Sequence, residues 1–465
     1  MDLDLIAQLD KGIDALRQEL AALTISLINI KSEREDPLPG APFGTGPKKV
    51  LDTALELGQQ AGFSCKDYGV GVVSLALKAG DADLGIWLHG DVVPAGDGWK
   101  FEPYQATEYK GCIVGRGATD NKGQFAALFL LLRLFKQLQI PLKYNPALYI
   151  GSCEETGMAD MTGIPGNPDA KGFLHVATPP RLSLVPDGGF PVGYAGKGSI
   201  TLKLRSRTPL HGCKLIAGQP ADPGSITATF DNAPNIQALP GCKIEGNQIS
   251  AWTPPQHGAH PNPNGNMITV LSGAMLTGGL THPDDRYIWE FLHMVSSDID
   301  GICLGIQATA ESMKPLTVFS KQIDDMNGHP ELTLNIRYPD SITCAEITER
   351  AAKAAEDHGF LLTASEPGTP AYRTAVDTPV VQMLCQVSNS IIGNNAPPFT
   401  LSGATYANRL PNAYVFGTNG NLPPADFPKG RGGAHGVDEV VSLDRLQRAM
   451  RIYARALLGL NELEW

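Results

Sequence analysis

The chain has 465 residues, 42% hydrophobic, 18% charged and 7% aromatic, an ordinary globular profile with room for two or three domains. With 37 basic against 48 acidic residues the formal net charge is -11, which argues against nucleic acid and anionic membrane surfaces as partners. The acidic, amphipathic start MDLDLIAQLDK does not read as a signal peptide. The longest apolar run, Phe125–Leu132, is too short to span a bilayer. The 8 cysteines are scattered without a CxxC pair, which reads as reduced thiols of a cytoplasmic protein.

Leu3, Ile6, Leu9, Ile13, Leu16, Leu20 and Leu23 recur at helical spacing, predicting one amphipathic helix. The loop PLPGAPFGTGP follows, then a helix near Lys48–Gln60 and strands at Gly69–Leu77 and Gly85–Leu88. The second strand delivers His89 and Asp91. In extended chain, i and i+2 point to one side, so Asp91 can orient the His89 ring and raise its basicity; a turn aspartate beside a satisfied histidine is the plainer alternative. GRGATDNKG (Gly115–Gly123) opens a helix over Gln124–Leu138. Asp120 at its start is either an N-cap or a carboxylate able to bridge two cations, and the pattern of a phosphate loop is absent.

The stretch ALYIGSCEE (Ala147–Glu155) is an apolar strand ending in two adjacent carboxylates. Open α/β sheets place active sites at strand ends, and two acids there repel and lose hydration unless a cation neutralises them. Three other apolar runs end in metal-ligand residue types, at His89 and Asp91, at Asp187 in LSLVPD, and at His435 after a glycine-rich approach. The combined reading is a two-metal hydrolase, with Glu155 a ligand and Glu154 the general base. Asp187 alone would be a turn residue.

From about Val192 the pattern changes. GSITLKLRS and LTLNIRYP alternate as strands, with helical stretches at Asp285–Ser296 and Cys344–His358, predicting an inserted α+β lid over 192–373. It contains His257 and His260 in a polar, Pro/Gly-rich segment, and Arg337 on the strand face opposite Leu332, Leu334 and Ile336. Arg337 is either a solvated strand arginine or a fork for a carboxylate. Beyond Tyr372 come a helix at Thr378–Ile392, the turn LSGATYANRL, the strand NAYVFG, GRGGAHGVDE, and a closing helix through Leu446, Met450, Tyr453 and Leu457. The architecture is thus α/β, with a discontinuous catalytic domain over 1–191 and 374–465.

The ordered motifs HGDVVPAGDGW, GRGATDNKG, CEETG, PDGGFP, GAHPNPNGN, NIRYP, SGATYANR and GGAHGVDE span nearly the whole chain and resemble the M20 metallopeptidases, in particular the PepV-like dipeptidases. The resemblance implies a zinc-peptidase-like catalytic domain of mixed sheet flanked by helices. It implies two zinc ions, replaceable by cobalt or manganese, one held by His89, Asp120 and Asp187, the other by Asp120, Glu155 and His435. Asp91 would orient His89, and Glu154 would act on a metal-bridging water. His260 would stabilise the oxyanion, and Arg337 would capture the substrate's terminal carboxylate. The PepV-like branch supplies the lid histidine from the same chain, which implies a monomer. The implied substrate is an unblocked dipeptide, or in the alternative an N-acyl amino acid; a non-catalytic binding protein would have lost a ligand or the base, and none is lost. Gly403 and Asn408 lie in the substrate-binding motif SGATYANR, where Asn408 replaces the family's usual arginine and Arg409 follows. Cys153 stands where relatives carry a small polar or acidic residue and reads as a packed bystander rather than a soft-metal ligand.

Overall fold

The computed structural model describes residues 2–219, 222–254, 261–262, 265–418 and 423–465. The chain divides into two compact units, Met1–Ala195 with Arg373–Phe399 and Thr405–Trp465, and Gly196–Tyr372 with Thr400–Ala404. The 8 cysteines are all free thiols. Among the described residues no helix is long and apolar enough to cross a membrane.

The first unit is built on a mixed sheet. Its strands run in the order Ser64–Asp67, Val72–Ala76, Pro146–Gly151, Leu84–His89, Leu182–Val185, Ala413–Val415 and Gly193–Gly196. Pro146–Gly151, Leu84–His89, Leu182–Val185 and Ala413–Val415 are mutually parallel, so their carboxyl ends share one edge. All four are buried along their length, as strands covered on both faces must be. The apolar run Phe125–Leu132 lies inside the helix Gly123–Gln137, with no residue of the run above 2% exposed. It is buried all round because Leu3–Ala15, Arg17–Ile28 and Leu443–Leu460 pack on it as well as the sheet.

The predicted first helix is two, Leu3–Ala15 and Arg17–Ile28. At Leu16 the backbone N–H bonds Ile13 O rather than the carbonyl four residues back, a tightened turn that re-aims the chain while the apolar stripe continues through Leu9, Ile13, Leu20 and Leu27. Periodicity cannot detect such a joint. The edge strand Ser64–Asp67 was also not anticipated; it is mostly exposed and carries no alternating apolar signal.

In the second unit Thr317–Met326, His329–Tyr338, Gly198–Ser206 and Phe360–Pro367 form one antiparallel sheet, and Cys213–Gln219, Asp222–Phe230, Gln248–Trp252 and Cys242–Glu245 another. Gly198–Ser206 alternates strictly between buried and half-buried positions. Ile200, Leu202, Leu204, Leu332, Leu334 and Ile336 share a core with the helices Met267–Thr277, Arg286–Ser297 and Cys344–Asp357.

Gly151 ends the central strand because nothing larger fits. A Cβ there would lie 1.8 Å from the Tyr406 hydroxyl and 2.4 Å from Asp160 Oδ2. Gly151→Ala should therefore destabilise the protein by about 1–3 kcal/mol in urea unfolding, the usual cost of overpacking. Adding Tyr406→Phe, which deletes the obstructing hydroxyl, should recover part of that loss; two strictly additive losses would show that the close approach is not the cause.

Candidate metal centre

The carboxyl ends of the parallel strands deliver the centre. His89 is the last residue of its strand, Glu154 and Glu155 follow Gly151, and Asp187 follows Val185 and Pro186. His435 arrives on a glycine-rich loop in the left-handed region, φ 61°, where flanking glycines ease the turn. Asp120 lies in the irregular turn Ala118–Lys122 with non-helical angles (φ -142°, ψ 88°). It caps no helix: Lys122 precedes Gly123–Gln137 without a side-chain cap.

The carboxylate of Asp120 sits between the two imidazoles. His89 Nε2 is 2.9 Å from Oδ1 and His435 Nε2 is 3.1 Å from Oδ2. His435 Nε2 is also 3.0 Å from Glu155 Oε2. His89, Asp120 and Asp187 offer one triad of donor atoms, and Asp120, Glu155 and His435 a second, each within 4.8 Å. Glu154 belongs to neither triad. Its Oε1, and Oε1 of Glu155, are buried and have no hydrogen-bond partner among the described residues. Nor does any lysine or arginine among the described residues pair with Asp120, Glu154, Glu155 or Asp187. Four carboxylates and two imidazoles without a cationic side chain are a donor set that two divalent ions would neutralise, and an orphaned buried oxygen is what an absent ion leaves. Donor separations near 3 Å suit ligands about 2.0–2.2 Å from a shared zinc-like ion. The residues fit the metals.

The supporting contacts are dense. His89 Nδ1 lies 3.0 Å from the backbone carbonyl of Asp91, while the Asp91 carboxylate stands 3.6 Å from it, beyond hydrogen-bond length. That carboxylate instead accepts the N–H groups of Glu154 and Glu155, each at 3.1 Å. Asp91 thus holds the glutamate pair through the backbone, a job that HxD spacing does not announce. Glu439, buried, accepts from Thr119 N (2.8 Å), Asp120 N (3.0 Å), Gly117 N (3.0 Å) and Arg116 Nη1 (2.8 Å), and so fixes the Asp120 turn. Asn121 Nδ2 donates to Pro186 O at 3.1 Å, tying that turn to the Asp187 loop. Asp160 accepts from Ser152 N, Cys153 N and the Tyr406 hydroxyl. Glu439, Asp160 and Tyr406 were not singled out from sequence. The acid beside Asp438 in GVDE was the one available signal, and it reads as a loop residue.

Burial raises the Glu154 pKa well above the carboxylate range; the nearby His89 charge opposes this, and Asp187, Glu155 and Asp120 add to it. Burial and then the charge of Asp120 push Asp187 to about 7, and the same two causes raise Glu155. Burial would raise Asp120 too, but hydrogen bonds from His435 and His89 outweigh it and hold that carboxyl well below its usual range. Hydrogen bonds to Asp120 and Glu155 push His435 to about 11. His89 is raised against its burial by Asp120 and Asp91.

Arg337 is on the strand His329–Tyr338 and Gly403 in the segment Thr400–Ala404, both in the second unit. Asn408 is buried, and its side-chain oxygen accepts the Thr405 N–H at 3.0 Å, capping a short helical turn. That oxygen is committed to local structure. His257 and His260 lie outside the described residues. Cys153 is fully buried, contacts the Thr156 hydroxyl at 3.2 Å, and has its thiol pushed up to about 12 by burial; it is in neither donor triad.

The family model of peptidase family M20/M25/M40 matches residues 86–459. A Bacillus subtilis (strain 168) protein named "Putative dipeptidase YtjP" is 28% identical over 481 residues, spanning 96% of this chain and 97% of its own. Among solved structures, human carnosine dipeptidase 1 aligns with TM-score 0.61 at 14% identity over 99% of both chains. A di-peptidase from Saccharomyces cerevisiae aligns with TM-score 0.60 at 13% identity, again over 99% of both. At these identities the structural likeness speaks for the fold.

Metal uptake should release protons. Without ions, His435 is protonated at neutral pH, its pKa being near 11, and Asp187 is about half protonated at its pKa near 7. Ligation needs the imidazole neutral and the carboxylate ionised, so affinity should fall as pH drops through 7 and more protons must be displaced. Calorimetry of zinc binding to chelator-treated protein, in buffers of differing ionisation heat, should show at least one proton released. No release would exclude the imidazoles as ligands.

Proposed function

The chain belongs to peptidase family M20/M25/M40 and is a metallopeptidase-type hydrolase, and from that premise we propose that it is a dipeptidase acting on unblocked dipeptides. The observation that carries this reading is the buried Glu154, unpartnered at Oε1 and belonging to neither donor triad, beside a carboxylate shared by two imidazoles. In this reading His89, Asp120 and Asp187 hold one ion, Asp120, Glu155 and His435 the second, and Asp120 serves both. Imidazole and carboxylate donors suit Zn²⁺, with Co²⁺ and Mn²⁺ as substitutes. When bound, such ions would lower the pKa of a water and polarise the scissile carbonyl.

The protein's own groups do the rest. Asp91 fixes the backbone of Glu154 and Glu155, so the two side chains diverge to separate tasks. Glu154 takes the proton from the attacking water and returns it to the leaving amine as the C–O bond forms and the C–N bond breaks. Its raised pKa suits both halves of that transfer. The first unit is read as the catalytic domain and the second as the lid.

Arg337 lies on the strand face opposite the core, makes no ion pair among the described residues, and its Nε has no hydrogen-bond partner there. Its burial lowers its pKa. Burial and then the charges of Lys314 and Arg337 push Lys197 down to about 8. A buried arginine without an ion pair among the described residues calls for an anion. A substrate's free carboxylate is the anion this reading supplies, and Arg337 can take it as a fork. The proposal includes a cytoplasmic monomer, for which native mass is the direct measure.

Glu154→Gln should lower kcat by about 10²–10⁴-fold with both metals retained by elemental analysis. Loss of metal instead would exchange the roles of Glu154 and Glu155. Arg337→Ala should lower kcat/KM for free dipeptides by about 100-fold, a loss near 3 kcal/mol, and leave C-terminal amides nearly unchanged. Equal losses on both would remove the carboxylate clamp. If wild-type protein cleaves N-acetyl or N-succinyl amino acids and no dipeptide, the deacylase alternative replaces the dipeptidase.

A further inference from the structure

The second unit brings together two imidazoles and a carboxylate that the hydrolytic reading does not use. We propose that His211, His282 and Asp285 form a separate binding site for one zinc-class transition-metal ion. His211 precedes the strand Cys213–Gln219, and His282 and Asp285 belong to the turn that leads into the helix Arg286–Ser297. The residues offer one donor atom each, all within 4.8 Å of one another.

The site has built features. The Asp285 side chain is 1% exposed, and His211 engages both its oxygens: the backbone N–H donates to Oδ2 and Nδ1 meets Oδ1, each at 2.6 Å. An ion that displaces the proton between Nδ1 and Oδ1 would be held by both atoms, the same kind of histidine–carboxylate pair that His89 and Asp120 make in the hydrolytic centre. The His282 ring stacks on that of His211, with centroids 4.7 Å apart and planes at 26°. Its Nδ1 is 3.3 Å from Asp284 N and 3.8 Å from Asp284 Oδ2. Nδ1 accepts that N–H, a long bond that the ring can give up when it turns a nitrogen to the ion. The adjacent cation, Arg286, is turned away to Glu290 at 2.8 Å.

The His211 and His282 side chains are 50% and 46% exposed, so an ion can enter without any opening of the fold. Two ligands at about 2.0–2.1 Å from a tetrahedral ion stand about 3.3 Å apart. The donor atoms lie within 4.8 Å of one another, and the half-exposed rings have room to turn toward that spacing. Two nitrogens and one oxygen favour zinc or copper over calcium or magnesium. The bound ion would tie the His211 loop to the start of Arg286–Ser297 and keep open positions for water.

The test uses the full chain, wild type and His282→Asn, each dialysed to equilibrium against micromolar Zn²⁺, with bound zinc counted by elemental analysis. Asparagine keeps an acceptor for the Asp284 N–H and removes Nε2, so the turn should survive; a matching melting curve checks this. The variant should bind one ion fewer per chain, with dipeptide hydrolysis within twofold of wild type. His211→Ala should lose the same ion. Equal zinc counts in wild type and both variants would overturn the proposal. The difference between the chains is the readout, so it stands whatever the number of ions in the hydrolytic centre.

Discussion

The first unit depends on how it tolerates a concentration of negative charge where water is scarce. Asp120, Glu154, Glu155 and Asp187 converge at the carboxyl ends of parallel strands, and no basic side chain among the described residues pairs with them. Isolated buried carboxylates would cost several kcal/mol apiece. The Asp120 carboxylate, shared by His89 and His435, makes the cluster tenable, because each of its oxygens faces one imidazole. Lose that bridge and the two halves of the centre become separate, uncompensated acids.

Much of the surrounding structure fixes the chain that carries these charges. Glu439 gathers three backbone N–H groups and a guanidinium from the stretch Arg116–Asp120, so the turn cannot relax into an ordinary helix start. Asp91 does the same for Glu154 and Glu155. Asp160, itself held by the Tyr406 hydroxyl, takes Ser152 and Cys153. In each case a buried carboxylate is spent on backbone donors. Acidic side chains orient other acidic side chains indirectly, by ordering the main chain, and the two sets of charges are kept from competing for the same donors.

The sequence carries the parts of this that are local. Apolar runs ending in His89, Glu155 and Asp187 mark strand ends, and the runs are unambiguous because those strands are buried on both faces. The strict alternation of Gly198–Ser206 likewise shows in the letters. What depends on long-range contact does not. Glu439 is 319 residues from Asp120, and nothing in GVDE says that its carboxylate will be surrounded by the backbone of GRGATD. Asp91 was legible as a partner of the centre, but its partner is the backbone of the glutamate pair more than the imidazole two residues away. Asn408 could be seen as a departure from a family pattern; that it caps its own turn could not. The joint at Leu16 left the apolar periodicity intact and so left no trace.

The proton is what allows such a centre to exist before an ion arrives. In the ion-free chain His435 holds its proton far into the alkaline range, and Asp187 shares one at neutral pH. These protons supply the positive charge that the side chains lack. They are weakly placed substitutes: a proton sits on one atom, whereas a divalent ion is shared among three or four. Glu154 Oε1 and Glu155 Oε1 have no hydrogen-bond partner among the described residues. An ion that binds the native chain and not the unfolded one shifts the folding equilibrium by mass action. In this centre it would do so by displacing protons, which would make metal affinity and pH two readings of the same buried charge.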